Sequence, residues 1–232
     1  MSNSAAENTE TGSKLNLTSV MSTCASALQN FKPLSNVCES FCGIHPFCDN
    51  INKQIVAYHF CSMLDEDRRQ CLIYDDDGPN AKLIAVEYII SDKLFKELPE
   101  EEKKYWHSHK YEVESGMLVM TSKSLVPNAV ATATENQQLK AIINTYGKTW
   151  QLWPVDDNNK CSSKVPYGPP QLVMAFTKDG QVNPQLLKER DDHMGISTKE
   201  KRKAREGVLV GNVPLSGADH WQFKEPFQIK EH

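Results

Sequence analysis

The sequence lacks a long apolar run. A membrane-spanning helix needs roughly 20 apolar residues in a row, but the best stretch of this 232-residue chain, Leu83 to Ile90, is short and contains Glu87. Residues 1–16 are polar and lack the basic and apolar regions of a secretory signal. The sequence therefore predicts no transmembrane segment and a cytoplasmic location.

An excess of positive charge is also missing. The chain has 26 basic and 30 acidic residues, a net charge of -4 and a pI of about 6.0. A nucleic-acid backbone selects proteins with basic surfaces, so no nucleic-acid partner is expected. The hydrophobic fraction of 39% is ordinary for a globular protein, and the length suits one core.

The seven cysteines include no CxxC pair, so a disulfide framework and a zinc ribbon are both poor fits. We expect most of them to be buried, reduced thiols. Cys61 shares a predicted strand face with His59, but such neighbours are about 7 Å apart, which favours a structural role over an activated thiolate. GxGxxG and GxxxxGK[ST] motifs are absent. Residues 75–78 (DDDG) lack the last glutamate of a calcium loop and predict a turn.

Residue periodicity divides the chain into a disordered tail (1–14), one domain (15–205) and an irregular tail (206–232). An amphipathic helix is predicted over 15–31 and a short helix over 34–42. Predicted strands cover 55–61, 70–74, 82–90, 107–120, 149–153 and 171–176. Further helices follow Ser91 and Pro99 and cover 135–146, 183–193 and 198–205, the last as a solvated basic helix. This mixture indicates an α+β fold with a largely antiparallel or mixed sheet and flanking helices.

The segment WHSHKYEVESG (106–116) holds the most specific chemical pattern. On a strand, His107 and His109 would project from one face and could chelate one ion, while Glu112 and Glu114 would point away. The remaining ligands of a divalent transition metal such as Zn, Fe or Mn could come from His45, His59 and Glu87. Two alternatives stay open: the pair could act as a general acid and base, or it could lie solvated on an exposed strand.

Several segments together resemble the oil body-associated protein family, known from plant seeds and also found in fungi and bacteria. They are CGIHPFCDN, YHFCSMLDEDRRQCLIYDDD, LIAVEYIIS, LFKELPEEEKKYWHSHKYEVESGML, TYGKTWQLW and GPPQLVMAFTKDGQV. The resemblance covers about residues 15–205 and implies a soluble protein that, in plants, resides on oil bodies and affects droplet size, without an established reaction. The family's histidine and acidic positions fall on His45, His59, His107, His109 and Glu87. The chain departs from the family at Tyr58, where many members have a histidine, and at Asn50, where many have Asp.

These observations lead to the hypothesis of a non-enzymatic protein that associates peripherally with lipid droplets and contains a histidine cluster of structural or metal-binding character. Residues 15–31 are the first candidate for the lipid contact. The alternative is a metal-dependent enzyme, a hydrolase or an oxygenase, that uses the same histidines. The sequence names no protein partner.

Overall fold

The computed structural model describes residues 28–122, 127–155, 161 and 164–223. The chain divides into two units, residues 1–36 and 37–232. The described part of the first unit contains helix α1 (Lys32–Ser35), and its side chains Leu28, Phe31 and Leu34 are exposed. Most of the amphipathic helix predicted over 15–31, and the whole tail over 1–14, lie outside the described residues.

In its described residues, the second unit is built on one antiparallel sheet of eight strands. Their bounds are β1 (Glu39–Phe47), β2 (Asn50–Met63), β3 (Arg68–Tyr74), β4 (Leu83–Ile90), β5 (His107–Ser108), β6 (Val119–Met120), β7 (Tyr146–Gln151) and β8 (Gln171–Val173). Strand β1 pairs with β2 on one side and with β8 on the other, so β1, β2, β3, β4, β7 and β8 close into a barrel. The short strands β5 and β6 are added to β7 and β1. The predicted α+β class is confirmed, and the closed sheet makes it more specific.

Helices surround the sheet. They are α2 (Asp92–Glu97), α3 (Glu100–Lys103), α4 (Lys110–Glu114), α5 (Asn128–Ile142), α6 (Pro184–Met194) and α7 (Thr198–Arg205), followed by a 3-10 turn (His220–Gln222). Side chains with N-cap preference begin three of them: Ser91 accepts from the backbone of α2, Asn183 from α6 and Ser197 from α7. Among the described residues, no helix is both long enough and apolar enough to cross a lipid bilayer.

The barrel interior is apolar in one part and polar in the next part along the same strands. Alternation places Ala57 of β2 and Ala85 of β4 in an apolar cluster that also contains Phe47, Ile55, Ile73, Ile84, Val155 and Val173. Two residues further along the same strands, on the same face, stand His59 and Glu87, both buried. The alternation of side chains that directs apolar residues into the core therefore also directs these two polar side chains into it.

Three sequence predictions are wrong in an informative way. Residues 34–42 are predicted as a helix, but strand β1 begins at Glu39, because pairing with β2 and, at Phe41 and Cys42, with β6 outweighs a local helical period. The strand predicted over 107–120 ends after Ser108 and gives way to α4. Cys61 and Cys71, expected as thiols, form a disulfide between β2 and β3, whereas Cys38 and Cys42 are free thiols.

Candidate metal centre

Five side chains from five separate elements meet inside the barrel. His45 comes from β1, His59 from β2, Glu87 from β4 and His107 from β5, and His109 stands at the N-cap of α4. Each of them is at most 4% exposed. The structure thus brings together the residues that the sequence analysis named as candidate ligands. His109 does not lie on the predicted strand, because a helix begins at the next residue.

The Glu87 carboxylate is the centre of this group. Its Oε1 atom lies 3.2 Å from Nε2 of His107 and 3.6 Å from Nε2 of His109. Its Oε2 atom lies 3.5 Å from Nε2 of His59, and Thr149 of β7 donates its hydroxyl hydrogen to Oε1 over 2.8 Å. One ligand atom each from Glu87, His107 and His109 lie within 4.8 Å of one another, a spacing compatible with one shared ion.

Hydrogen bonds on the far side of two rings determine their tautomers. Nδ1 of His45 lies 2.9 Å from the carbonyl oxygen of Met174, which only accepts, so this nitrogen carries the hydrogen. Nδ1 of His109 faces the hydroxyl and carbonyl oxygens of Thr145 at 2.9 and 3.2 Å. The hydroxyl gives its own hydrogen to Ile142, so His109 Nδ1 also donates. In the neutral rings both Nε2 atoms therefore present lone pairs toward the cluster.

The two lone pairs face different neighbours. Nε2 of His45 lies 3.1 Å from Nε2 of His59, which donates to it when the neutral His59 ring carries its hydrogen there. The His109 lone pair faces a carboxylate oxygen of Glu87 at 3.6 Å, and two acceptors at such a distance repel each other unless a proton or a cation lies between them. A hydrogen bond from a distal ring nitrogen to a backbone carbonyl is the arrangement that orients histidine ligands of metals. The donor set thus fits a cation.

Burial and charge set the protonation of the cluster. Burial lowers the pKa of His45 and of His59 to about 4, against the opposing attraction of Glu87. Burial also lowers the pKa of His107. The same burial favours a neutral Glu87, but the adjacent imidazoles, that of His107 foremost, outweigh it and hold the Glu87 pKa well below its usual range. At neutral pH the Glu87 carboxylate is therefore ionised and the imidazoles of His45, His59 and His107 are neutral, the forms in which such residues bind metals.

Gly147 of β7 makes the approach of these groups possible. A Cβ atom at this position would lie 2.3 Å from Oε1 of Glu87 and 2.6 Å from Nε2 of His107. His107 is the register partner of Gly147 across the β5–β7 pair. Only glycine leaves the space that the carboxylate and the imidazole occupy.

A cavity of about 10 Å³ lies within the cluster, bordered by His45, His59, Cys61, Glu87, His109 and Glu112 together with Phe41, Ile89, Leu118 and Ile142. This volume is close to the minimum of roughly 10–15 Å³ that one water molecule needs. An ion fits there, whereas an organic substrate does not.

Glu112 completes the cavity wall, which the sequence analysis missed. Its carboxyl is 1% exposed and lies 3.8 Å from Nδ1 of His45. Burial first, and then repulsion from Glu87 and Asp219, raises its pKa well above the usual range. Neither carboxyl oxygen has a hydrogen-bond partner among the described residues. The prediction that Glu112 points away from the histidines is wrong because α4 replaces the expected strand. Predicting a helix for KYEVE would have placed Glu112 near the histidines.

Comparison with known proteins places the chain in a family. The family model described as "Protein of unknown function (DUF1264)" matches residues 31–209. Oil body-associated protein 1B of Arabidopsis thaliana is 41% identical over 213 residues, which are 90% of this chain and 82% of the relative. The chain belongs to the oil body-associated protein family. The sequence-based resemblance is thereby confirmed.

Other family members give similar figures. Oil body-associated protein 1A of Zea mays is 39% identical over 90% of this chain and 83% of the relative, and protein 2A of Arabidopsis thaliana is 36% identical over 88% and 79%. No solved structure matches this member of the family.

A second, exposed group of potential ligands lies at the β3–β4 turn, where Asp76 and Asp77 approach His193 of α6. Nε2 of His193 lies 3.5 Å from an oxygen of Asp77, and both side chains are about half exposed. Exposed acidic groups of this kind are common without an ion. The interior cluster differs from it through its burial and its defined tautomers.

Proposed function

We propose that this chain associates peripherally with the surface of oil bodies. The observation that carries the proposal is the set of relatives in maize and Arabidopsis that share 36–41% of their residues with it over most of both chains and bear the name oil body-associated protein. The expected cytoplasmic location and the absence of a nucleic-acid partner remain predictions.

The lipid contact is proposed for the segment that ends in α1. Within residues 15–31, Leu28 and Phe31 belong to the described part and are 88% and 48% exposed, and Leu34 of α1 is 54% exposed. Apolar side chains on a short segment can fill packing defects in the monolayer of a droplet.

Flotation with phospholipid-coated triacylglycerol droplets tests this proposal. The full chain should float with the droplets, and a variant that combines Leu28→Ser, Phe31→Ser and Leu34→Ser should stay in the aqueous fraction. Leu152→Ser combined with Tyr167→Ser, which removes exposed apolar side chains elsewhere, is the matched control and should float. Wild-type protein that stays in the aqueous fraction, together with diffuse fluorescence of a tagged chain in lipid-loaded cells, would contradict the proposal.

We also propose that the interior cluster binds one divalent transition metal, Zn, Fe or Mn, through Glu87, His107 and His109 with His45 and His59. The support is the convergence of lone pairs on a 10 Å³ cavity beside a buried carboxylate. Ligands about 2.0–2.1 Å from a common ion lie no more than about 4 Å apart, and the separations of 3.2 and 3.6 Å between Oε1 of Glu87 and the Nε2 atoms of His107 and His109 meet this limit. His59 lies 3.5 Å from Oε2 of the same carboxylate and 3.1 Å from His45, so these two rings extend the set on its other side.

Elemental analysis after expression in metal-supplemented medium tests the metal. We expect close to one equivalent in the wild type, a strong loss in Glu87→Gln, and no loss in His193→Asn, which removes the exposed imidazole. Less than about a tenth of an equivalent in the wild type would leave the cluster as scaffold.

A metal-dependent hydrolase or oxygenase is the second candidate, because two histidines and one carboxylate are the ligands of many non-haem iron oxygenases. The small cavity argues for a structural ion, since a substrate would require the barrel to open. Two assays test this candidate: oxygen consumption by iron-loaded protein and ester hydrolysis by zinc-loaded protein. Either activity would favour an enzymatic function if it disappears in Glu87→Gln.

A further inference from the structure

The Cys61–Cys71 disulfide lies in the same row of the barrel as the centre of the histidine cluster. Cys61 of β2 pairs with Cys71 of β3, Cys71 with Glu87 of β4, and Glu87 with Thr149 of β7. Residues directly opposite each other in neighbouring strands project to the same face. Cys61, Cys71, Glu87 and Thr149 therefore form one row across four neighbouring strands and face the same side of the sheet.

Cys61 also borders the cavity itself, together with His45, His59, Glu87, His109 and Glu112. It stands two residues after His59 on β2 and shares its face. Cys61 is 1% exposed and Cys71 is 3% exposed. The sulfur at this position is thus enclosed with the ligands and shielded from solvent.

The oxidation state of this sulfur changes what it can bind. A disulfide sulfur carries no charge and is a poor metal ligand, whereas a thiolate is a strong ligand for zinc and other soft or borderline ions. We propose that the Cys61–Cys71 pair is a redox control of the metal centre, in which reduction adds the Cys61 sulfur to the ligands and oxidation removes it. This inference rests on the proposed metal function.

The chemistry balances with a thiol reductant. A dithiol, or two small thiols, gives two electrons and two protons to the Cys61–Cys71 bond and becomes a disulfide, leaving two thiols in the barrel. When the metal binds, the Cys61 thiol releases its proton to solvent as the metal–sulfur bond forms, and Cys71 remains a thiol. The reverse reaction needs a disulfide oxidant of the same class. Both directions should be slow in the folded chain, because the attacking thiolate must reach a buried sulfur.

Cobalt(II) is the probe for this proposal, because thiolate ligation gives it an intense near-ultraviolet charge-transfer band that nitrogen and oxygen ligands do not give. Protein is reduced with a phosphine under denaturing conditions, refolded without oxygen, and compared with the oxidised form. The reduced wild type should show the band and bind cobalt at least about tenfold more tightly than the oxidised form.

Two variants separate the roles of the sulfurs. Cys71→Ala cannot form the Cys61–Cys71 disulfide, so it should show the band both with and without prior reduction. Cys61→Ala should bind cobalt without the band. Cys38→Ala, which removes an exposed free thiol, should behave as the wild type.

The possible results distinguish this inference from the metal function on which it rests. Cobalt binding without the band, and with equal affinity in both redox states, would overturn the redox control and leave the metal site. A band that persists in Cys61→Ala would assign it to another thiol and likewise overturn the inference. Failure of cobalt to bind in either state would remove both proposals.

Discussion

Glu87 and His107 meet directly above the backbone of Gly147. The carboxylate oxygen lies 3.2 Å from the imidazole nitrogen, and both atoms occupy the space that a side chain on residue 147 would need. The candidate site thus depends on a strand residue that offers no ligand. This dependence gives the first prediction.

Gly147→Ala should destabilise the fold and abolish metal binding. The added methyl group would stand 2.3 Å from Oε1 of Glu87, and the carboxylate, held by Thr149, must move. Overpacking of this kind costs about 1–3 kcal/mol. Urea unfolding measures the loss, with Gly78→Ala as the control because a Cβ there meets nothing closer than 3.4 Å. Equal unfolding free energies for the two variants would contradict the crowding at Gly147.

Glu87→Gln and Glu112→Gln should have different effects on the free energy of unfolding at neutral pH, although both replace a buried carboxyl by an amide of the same shape. The Glu87 pKa is held low, so its variant loses a charge that the fold uses. The Glu112 pKa is raised by burial, so an amide replaces an already neutral group. In urea unfolding of metal-free protein at pH 7, Glu87→Gln should lose stability, whereas Glu112→Gln should equal or exceed the wild type. A large loss in Glu112→Gln would refute the neutral assignment.

Asp219→Asn should remove a pH dependence of stability. Burial raises the Asp219 pKa to about 6, although both oxygens accept from the amide and hydroxyl of Ser108. Because the folded state holds this proton more tightly than the unfolded chain, where an aspartate titrates near 4, the contribution is complete below about pH 4 and is lost as the pH rises through 6.

The free energy of unfolding of Asp219→Asn, relative to wild type, should therefore rise by about 2–3 kcal/mol between pH 4 and pH 7. Asparagine also tolerates the left-handed backbone that residue 219 adopts at φ 53°. Asp92→Asn, whose side chain is 44% exposed, should show no comparable rise. A difference between Asp219→Asn and wild type that stays constant with pH would contradict the raised pKa.

Arg205→Met should be strongly destabilising, although the sequence predicts a solvated basic helix there. The Arg205 side chain is 2% exposed, donates to the carbonyl oxygens of Val113 and Leu118 at 2.7 and 2.9 Å, and lies 3.3 Å from Glu135. Breaking a buried ion pair from one side costs about 3–5 kcal/mol. Thermal unfolding should show a large loss for Arg205→Met and little change for exposed Lys203→Met. Similar melting temperatures for these two variants would contradict the buried role.

Much of the fold could be predicted because local patterns agree with the final contacts. The strands around Ala57 and Ala85 and the capped helices after Ser91, Asn183 and Ser197 follow from alternation and from capping side chains. The family also followed from the sequence, because its motifs occur in order along most of the chain. The five candidate ligands could be named, since histidine and glutamate in such segments are unusual.

Tertiary structure decided the rest. Residues 39–47 are a strand because they pair with three other strands, β2, β6 and β8, and no local sequence pattern indicates this pairing. The disulfide depends on a register that places Cys61 opposite Cys71, and the burial of Arg205 depends on carbonyl groups about 90 residues earlier in the chain. The sequence by itself determined which chemical groups are available and on which strands the strongest of them lie. Closure of the sheet decided the rest, because it brings distant residues within a few ångströms of one another. It makes the ligands converge on one cavity, places Glu112 in the cavity wall and requires glycine at position 147.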